Sequence, residues 1–235
     1  MPARVVATRP ETTHASRLLL DVPAWPGHRA GNHLDVRLTA ADGYTAQRSY
    51  SIASAPGEHG LSLVVELLDD GEVSPWLVRE ARAGDELEVN GPVGGHLEWT
   101  PGEPRPVQMV AGGSGVVPFL AVLTERARVG GVPAARLLLS ARSPDEVIGA
   151  DTLARPQPGL LVTTTMSRYA RPEWTGLRGR LTPDVLRQNT IGPGERPLVL
   201  VCGPTAFVEA VADGLLELGH DPALVRTERF GASGG

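Results

Sequence analysis

The first hundred residues alternate apolar and polar positions in short runs separated by turn residues. This alternation predicts β-strands with one buried face. Asp42-Gly43, between two of the runs, is typical of a hairpin turn. Strands at such spacing suggest an antiparallel barrel or sandwich. After a first strand from about Arg4, the predicted strands are Ser16–Val22, His33–Leu38, Ala46–Ile52, Leu61–Leu67 and Glu86–Val89.

One helix is predicted to interrupt these strands, beginning at Ser74-Pro75-Trp76. Ser74 is a favourable N-cap residue, and Pro75 is tolerated in a first turn. Gly71 lies just upstream, and a capped helix start with outward-pointing N–H groups can bind an anion. The alternative interpretation is an ordinary capped helix without a ligand.

From about Val107 the pattern changes to short apolar strands that alternate with helical segments. This order predicts a parallel sheet covered by helices on both faces. The proline-rich residues 101–106 are predicted to link two domains, residues 1–103 and 104–235. The strands of the second domain are Val107–Ala111, Arg136–Ser140, Leu160–Thr164, Leu198–Val201 and one at Val225; its helices run from Pro118 to about Val129, from Thr182, and from Pro204 to Leu218.

Two glycine-containing segments follow strands of this predicted sheet, where ligands of parallel sheets bind. Gly112-Gly113-Ser114-Gly115 has the Gly-x-Gly spacing of a dinucleotide loop, but Pro118 replaces the third glycine, and a plain turn is the alternative. The second strand ends in Ser140-Ala141-Arg142, without the acidic residue that holds a ribose 2′-hydroxyl. The arginine favours a 2′-phosphate, because a guanidinium matches phosphate oxygens two at a time.

Length, net charge and the cysteine count exclude further classes of function. The 235 residues can form two small domains, and their net charge of -5 disfavours nucleic acid as the main partner. No segment is long and apolar enough for a membrane span or a signal peptide, so we expect a soluble, cytoplasmic protein, which we take to be a monomer. The single cysteine excludes an internal disulfide and a cysteine-ligated cluster, and the six histidines show no metal-binding spacing, so no metal site is predicted.

Arg48-Ser49-Tyr50-Ser51 resembles the Arg-x-Tyr-Ser flavin motif of the ferredoxin–NADP reductase family. The resemblance covers nearly the whole chain, because further motifs follow in the family's order. They are Gly71-x-x-Ser74, Gly112 to Pro118, Ser140-Ala141-Arg142, Cys202-Gly203-Pro204 and Glu228-Arg229-Phe230. The resemblance implies an FAD-binding antiparallel β-barrel followed by an NADP-binding α/β domain with a parallel sheet. It also implies hydride transfer from NADPH to FAD, and then release of single electrons to an acceptor.

In the first domain, the resemblance implies that Arg48 neutralises the FAD pyrophosphate. Tyr50 would pack its ring on the isoalloxazine, and Ser51 would hydrogen-bond the flavin N5 atom, where hydride arrives. Three residues of the following strand, Val64, Val65 and Glu66, would line the flavin. The backbone around Val73, after Gly71, and the Ser74 hydroxyl would hold the diphosphate.

In the second domain, the resemblance implies that Gly113, Ser114, Gly115 and Pro118 form the loop at the NADPH pyrophosphate. Ser140, Arg142 and Arg168 would take the 2′-phosphate. Cys202, followed by Gly203 and Pro204, would lie beside the nicotinamide. Glu228 and Phe230 match the family's terminal Glu-x-aromatic pattern, in which the aromatic covers the flavin face until nicotinamide displaces it. Ser51, Cys202 and Glu228 are therefore the candidate catalytic residues.

The electron acceptor is expected to be a separate protein. The motifs occupy residues 4 to 231, and one cysteine cannot ligate an iron–sulfur cluster. This acceptor would be a ferredoxin-like carrier, or a component of an oxygenase or another metalloenzyme. Two alternatives share the fold: a flavin reductase that releases reduced flavin, and a flavoprotein subunit that relays electrons inside a complex.

Overall fold

The computed structural model describes residues 1–40 and 42–230. The chain forms two compact units. The first consists of Met1–Thr100 together with Val117–Glu125, and the second consists of Pro101–Val116 together with the chain from Arg126 onwards. Each unit contains one six-stranded sheet.

The sheet of the first unit is antiparallel, with the strand order β4-β3-β6-β1-β2-β5. Its strands are β1 (Pro2–Thr12), β2 (Ala15–Asp21), β3 (His33–Thr39), β4 (Thr45–Ser51), β5 (Leu61–Glu66) and β6 (Glu86–Val93). The outer strands β4 and β5 meet through a bridge between Ile52 and Leu63, and the Ala53 N–H donates to the Ser62 carbonyl at 2.7 Å. This contact joins the two edges of the sheet and confirms the antiparallel barrel.

Alternating apolar residues fill the interior of this barrel. Leu18, Leu20, Leu34, Val36 and Leu63 are fully buried and belong to one core cluster. The predicted hairpin is also confirmed, because Tyr44 donates its N–H to the Asp42 carboxylate at 3.0 Å and Gly43 has a φ of 88°. That positive φ is unfavourable for residues with a side chain, which explains the glycine.

The helix predicted after Gly71 exists as a short π-helical segment, Trp76–Glu80, but the predicted N-cap is wrong. Ser74 is buried, and its hydroxyl accepts from the Leu68 N–H at 3.1 Å and donates to the Leu68 carbonyl at 3.3 Å. Ser74 therefore closes the loop of residues 68–74 instead of capping a helix. Gly71 fits this closed loop, since a Cβ there would lie 2.9 Å from Ser74 Oγ.

The sheet of the second unit is parallel throughout, with the order β10-β9-β8-β7-β11-β12. Its strands are β7 (Val107–Gly112), β8 (Ala135–Ala141), β9 (Leu160–Met166), β10 (Leu177–Arg178), β11 (Leu198–Pro204) and β12 (Val225–Phe230). The α-helices are α1 (Val117–Val129), α2 (Ala150–Leu153), α3 (Pro183–Asn189) and α4 (Thr205–Glu217). Short 3-10 helices span Gly113–Val116, Pro144–Glu146, Pro193–Glu195 and Pro222–Leu224. This architecture confirms the predicted α/β domain.

Both faces of the parallel sheet are buried. On one face, Val110 and Val201 belong to a cluster with Leu186 of α3 and Val208 of α4. Strand residues of the opposite face, such as Met109, are equally buried. The strands therefore carry continuous apolar runs, as parallel strands covered on both sides do.

The strand order reverses direction at β7, which lies between β8 and β11. The chain adds β8 and β9 on one side of β7 and later adds β11 and β12 on the other. Such a reversal leaves a crevice at the carboxyl ends of the two central strands, where open α/β sheets bind ligands. None of the helices in residues 1–40 and 42–230 is long and apolar enough to cross a membrane.

Candidate functional site

Strand β4 presents its motif residues on two different sides. Arg48 pairs with Val36 and Tyr50 pairs with Leu34, so Arg48 and Tyr50 extend from the same side of the strand. Ser49 and Ser51 extend from the other side, where the Ser49 hydroxyl donates to the Asp35 carboxylate at 2.6 Å. The structure thus brings Arg48 and Tyr50 together and separates both serine side chains from them.

Tyr50 is half-buried against the apolar core of the barrel. Burial raises the pKa of its phenol, and the positive charge of Arg48 offsets this only in part. The phenol is therefore neutral at physiological pH and offers a flat apolar ring with a polar tip. A ring held in this way fits the predicted role of packing on an isoalloxazine.

The strand predicted to line the flavin lies next to the end of β4, through the bridge of Ile52 to Leu63. On this strand Val64 and Val65 are buried, with exposures of 4% and 0%, while Glu66 is half-buried. Val65 belongs to the barrel core cluster, so its side chain is used for packing. The structure places Val64 and Glu66 near the β4 motif in the fold, and their contact with a flavin stays a prediction.

Arg48 contacts the loop of residues 68–74 through Glu72, which is not among the site residues predicted from the sequence. Its Nη2 donates to the Glu72 carboxylate at 2.6 Å, and its Nη1 donates to the Gln47 carbonyl at 2.7 Å. The Tyr44 hydroxyl donates to the second oxygen of Glu72. The bond from Tyr44, together with the charge of Arg48, holds the pKa of the Glu72 carboxyl below its usual value, against a smaller desolvation effect.

Arg48 and Tyr50 of the first unit offer the groups that a flavin dinucleotide needs, a cation for its phosphates and an apolar ring for its isoalloxazine. The Arg48 side chain is 55% exposed, and a guanidinium suits phosphate oxygens. Tyr50 supplies an apolar ring on the same side of β4. The loop of residues 68–74 is bonded to Arg48 by the Glu72 carboxylate. The Glu72 carboxylate, which is bonded to Arg48, carries a charge that opposes a pyrophosphate.

In the second unit, the glycine loop lies directly against the end of β11. A Cβ at Gly115 would lie 2.1 Å from the Cys202 carbonyl oxygen, which is closer than atoms can approach. Gly113 has a φ of 55°, and no atom lies within 4 Å of the position of its Cβ. Gly115 is therefore needed for packing, whereas Gly113 leaves open space beside the backbone. An open, glycine-lined backbone at a strand-order reversal fits a dinucleotide pyrophosphate.

Phe207, at the start of α4, explains two more glycines of this region. A Cβ at Gly112 would lie 2.8 Å from its ring, and a Cβ at Gly203 would lie 2.7 Å from it. The ring thus fixes the ends of β7 and β11 next to each other. Phe207 is not predicted as a site residue from the sequence, because a single aromatic residue on an apolar helix face carries no distinguishing pattern.

The remaining residues of the glycine loop are placed around the start of α1. Ser114 is half-buried in the 3-10 turn, and Pro118 is buried in the first turn of the helix. Proline is tolerated there because the first N–H groups of a helix have no internal partner. Pro118 therefore serves the helix start, and a contact of Pro118 with a nucleotide stays a prediction.

Cys202 is buried near the end of β11, at 1% exposure, and Glu228 of β12 pairs with it across the sheet. Burial raises the pKa of the thiol well above its usual value, and the Glu228 carboxylate raises it further. Phe230, the last described residue, pairs with the exposed Pro204. The structure thus brings the predicted Cys202, Glu228 and Phe230 to the carboxyl ends of the neighbouring strands β11 and β12. Residues 231–235 lie outside the described part of the chain.

The residues predicted for the 2′-phosphate also come together. The Arg142 carbonyl accepts from the N–H groups of Arg168 at 3.1 Å and Tyr169 at 2.9 Å, which joins the loops after β8 and β9. Both arginine side chains are exposed, and Ser140 is half-buried at the end of β8. Glu146, which no sequence motif indicates, places a carboxylate oxygen 3.6 Å from Arg142 Nη1.

Comparison with known families agrees with this division of the chain. The oxidoreductase FAD-binding domain matches residues 11–99, and the oxidoreductase NAD-binding domain matches residues 109–213. The chain belongs to the ferredoxin–NADP reductase family. Membership of this family, together with the observed sheets, establishes an FAD-binding and an NAD-binding domain in that order. Within the described residues, no group of three or more histidine, cysteine, aspartate or glutamate side chains could hold a metal ion.

Individual relatives within this family differ in their named acceptors. The chain is 31% identical to an NADH-cytochrome b5 reductase 1 of Emericella nidulans over 187 residues, which are 75% of this chain and 59% of the relative. It is also 31% identical, over 82% of this chain and 53% of the relative, to the glycine betaine monooxygenase reductase subunit of Chromohalobacter salexigens. The chain therefore spans between one half and three fifths of these proteins.

A solved ferredoxin NADP+ reductase of Neisseria gonorrhoeae, with bound FAD and NADP, has the same fold. The TM-score is 0.84, the sequence identity is 22%, and the match covers 97% of this chain and 98% of the other. At this identity the likeness shows the fold of the family and leaves the choice of nucleotide and acceptor open.

Proposed function

We propose that this chain is an FAD-dependent NADPH oxidoreductase that passes single electrons to a separate redox protein. The observation that carries the proposal is the placement of Arg48 and Tyr50 on one side of β4, next to the loop of residues 68–74, in a domain of the FAD-binding family. Under this proposal residues 1–103 hold FAD and residues 104–235 hold the nicotinamide nucleotide.

Bound FAD would accept hydride from the nucleotide and allow electrons to leave one at a time. The residues of this chain supply binding and position. Arg48 would bind the pyrophosphate and Tyr50 would pack on the flavin ring. The predicted bond of Ser51 to the ring near N5 has no support from its side chain, which extends from the other side of β4. Cys202 and Glu228, near the carboxyl ends of β11 and β12, would orient the nicotinamide. Because the thiol of Cys202 stays protonated, its contribution is steric and through a weak S–H donor.

NADPH is the proposed nucleotide because Arg142 and Arg168 are exposed at joined loops, and two neighbouring guanidinium groups suit a 2′-phosphate. Glu146 neutralises part of the charge of Arg142, and several relatives are named as NADH enzymes, so the two nucleotides need a direct comparison. Removing either arginine should cost about 1–3 kcal/mol for NADPH and little for NADH. Equal catalytic efficiency with NADPH and NADH in steady-state kinetics would contradict this choice.

The proposed acceptor is a ferredoxin-like carrier or an oxygenase or other metalloenzyme component. The names of the relatives support this range, since one is a cytochrome b5 reductase and another is a monooxygenase reductase subunit. Both kinds of acceptor take electrons singly, which a flavin can deliver.

The test of FAD binding compares two arginines of the first unit. Arg48→Ala should weaken FAD binding by about 1.5–3 kcal/mol, the range for hydrogen bonds to charged groups. Arg4→Ala is the matched control, since Arg4 also forms an exposed ion pair, with Asp21 at 3.1 Å, but lies outside the motif. A wild-type protein that carries no flavin and binds none when FAD is added would refute the proposed function.

A flavin reductase that releases reduced flavin is the second candidate, and one observation favours it. Arg48 already donates to Glu72, so its charge is partly neutralised. A partly neutralised arginine holds a pyrophosphate less strongly, which would allow flavin to exchange. Turnover with free riboflavin and no one-electron acceptor would distinguish this candidate.

A further inference from the structure

Glu72 uses the donor group of Arg48 that a pyrophosphate would need. Nη2 of Arg48 donates to one carboxylate oxygen of Glu72 at 2.6 Å, and the Tyr44 hydroxyl donates to the other oxygen. Nη1 is engaged by the Gln47 carbonyl. The bonds from Arg48 and Tyr44 hold the Glu72 carboxylate against the guanidinium of Arg48.

We propose that Glu72 is an internal competitor for the FAD pyrophosphate and thereby sets the affinity of this chain for FAD. The proposal rests on the proposed function, in which Arg48 binds that pyrophosphate. Arg48 would strengthen FAD binding and Glu72 would weaken it, although the two residues form one ion pair.

The sign of the effect follows from the charges in either arrangement. If the carboxylate stays on Arg48, the phosphates meet a neutralised guanidinium and a nearby negative charge. If the carboxylate moves away, FAD binding must first break the bonds of Glu72 to Arg48 and Tyr44. An exposed ion pair is weak, and its removal corresponds to a factor of about 1.4 to 5 in a dissociation constant. Removal of the negative charge should therefore tighten FAD binding by a factor of about 1.4 to 5.

The experiment measures the FAD dissociation constant by titrating deflavinated full-length protein and following the quenching of flavin fluorescence. The test variant is Glu72→Gln, which keeps the shape and removes the charge. The matched control is Asp21→Asn, since the Arg4–Asp21 pair has side-chain exposures of 61% and 45%, close to the 55% and 43% of Arg48 and Glu72. Arg48→Ala and the double variant Arg48→Ala/Glu72→Gln complete a cycle that shows whether Glu72 acts through Arg48.

We expect Glu72→Gln to bind FAD more tightly than the wild type by a factor of about 1.4 to 5, and Asp21→Asn to bind it as well as the wild type does. In the Arg48→Ala background the gain from Glu72→Gln should fall to less than half. Unchanged or weaker binding by Glu72→Gln would overturn the inference, and so would an undiminished gain in the absence of Arg48. A wild type that binds no FAD would instead refute the proposed function, so the two failures are distinguishable.

Discussion

Cys202 differs from a reactive cysteine in two respects, its burial and its neighbour. It is the only cysteine of the sequence, it is 1% exposed, and the Glu228 carboxylate lies across from it in the sheet. Both features raise the pKa of the thiol, so the thiolate that reacts with disulfides and alkylating agents is scarce at neutral pH. A role in positioning the nicotinamide is compatible with such a thiol, whereas nucleophilic chemistry is not.

We therefore predict that Cys202→Ala slows reduction of the flavin by NADPH, because hydride transfer is sensitive to small errors in position. A decrease of about 10- to 100-fold is expected in stopped-flow measurements, with the FAD content unchanged. In the native wild type the thiol should resist an aromatic disulfide reagent at pH 8 and become titratable after unfolding. A variant with the wild-type reduction rate would leave Cys202 as a packing residue.

The residues that the sequence did not reveal share a physical reason. Glu72 lies in a loop and Glu146 ends a short 3-10 helix, and in neither place does periodicity or spacing indicate a partner. Their importance comes from contacts with arginines elsewhere in the chain, which only folding defines. Ser74 is the opposite case, since its type and position are those of an N-cap, but the nearby backbone of Leu68 takes its hydroxyl instead.

At the scale of elements, strands with regular alternation were predicted with nearly correct boundaries, as for β3 (His33–Thr39). β1 (Pro2–Thr12) was harder to delimit, because its register with β2 shifts twice and most of its residues are exposed. The two-residue β10 was missed, since so short a strand has no periodicity. In the second domain the glycine loop was located from its spacing, but its close contact with β11 required the three-dimensional structure.

That close contact gives a prediction about the junction of β7, α1 and β11. Gly115→Ala should destabilise the protein by about 1–3 kcal/mol or more, because the new methyl group would overlap the Cys202 carbonyl and force the glycine loop away from β11. It should also weaken nucleotide binding. The control is Gly192→Ala, since Gly192 has a φ of −64° and no atom lies within 4 Å of its Cβ position. Equal denaturation midpoints for both variants would contradict the geometry of this junction.

At the scale of the whole chain, the two-domain division was predicted from the change in hydrophobic pattern and from the order of the motifs. The strand order within each sheet was not predicted, because it depends on pairing between residues far apart in sequence. That order brings β7 beside β11 and closes β4 onto β5, and both candidate sites depend on it. Sequence patterns therefore predict candidate site residues, and long-range pairing determines which of these candidates lie together.

We expect the electron acceptor to be a separate molecule. These 235 residues contain one cysteine, so a cysteine-ligated iron–sulfur cluster cannot form within them. We predict efficient oxidation of NADPH with ferricyanide and with a purified one-electron carrier protein, and slow oxidation with free riboflavin. The contact with the carrier should be small and transient, as redox encounters are, so its rate should depend on ionic strength when charged surfaces meet. Each acceptor is tested at saturating FAD, so that loss of cofactor does not imitate a poor acceptor. Fast turnover with riboflavin and none with either one-electron acceptor would make the protein a flavin reductase, and Glu72→Gln should then slow flavin exchange by holding FAD more tightly.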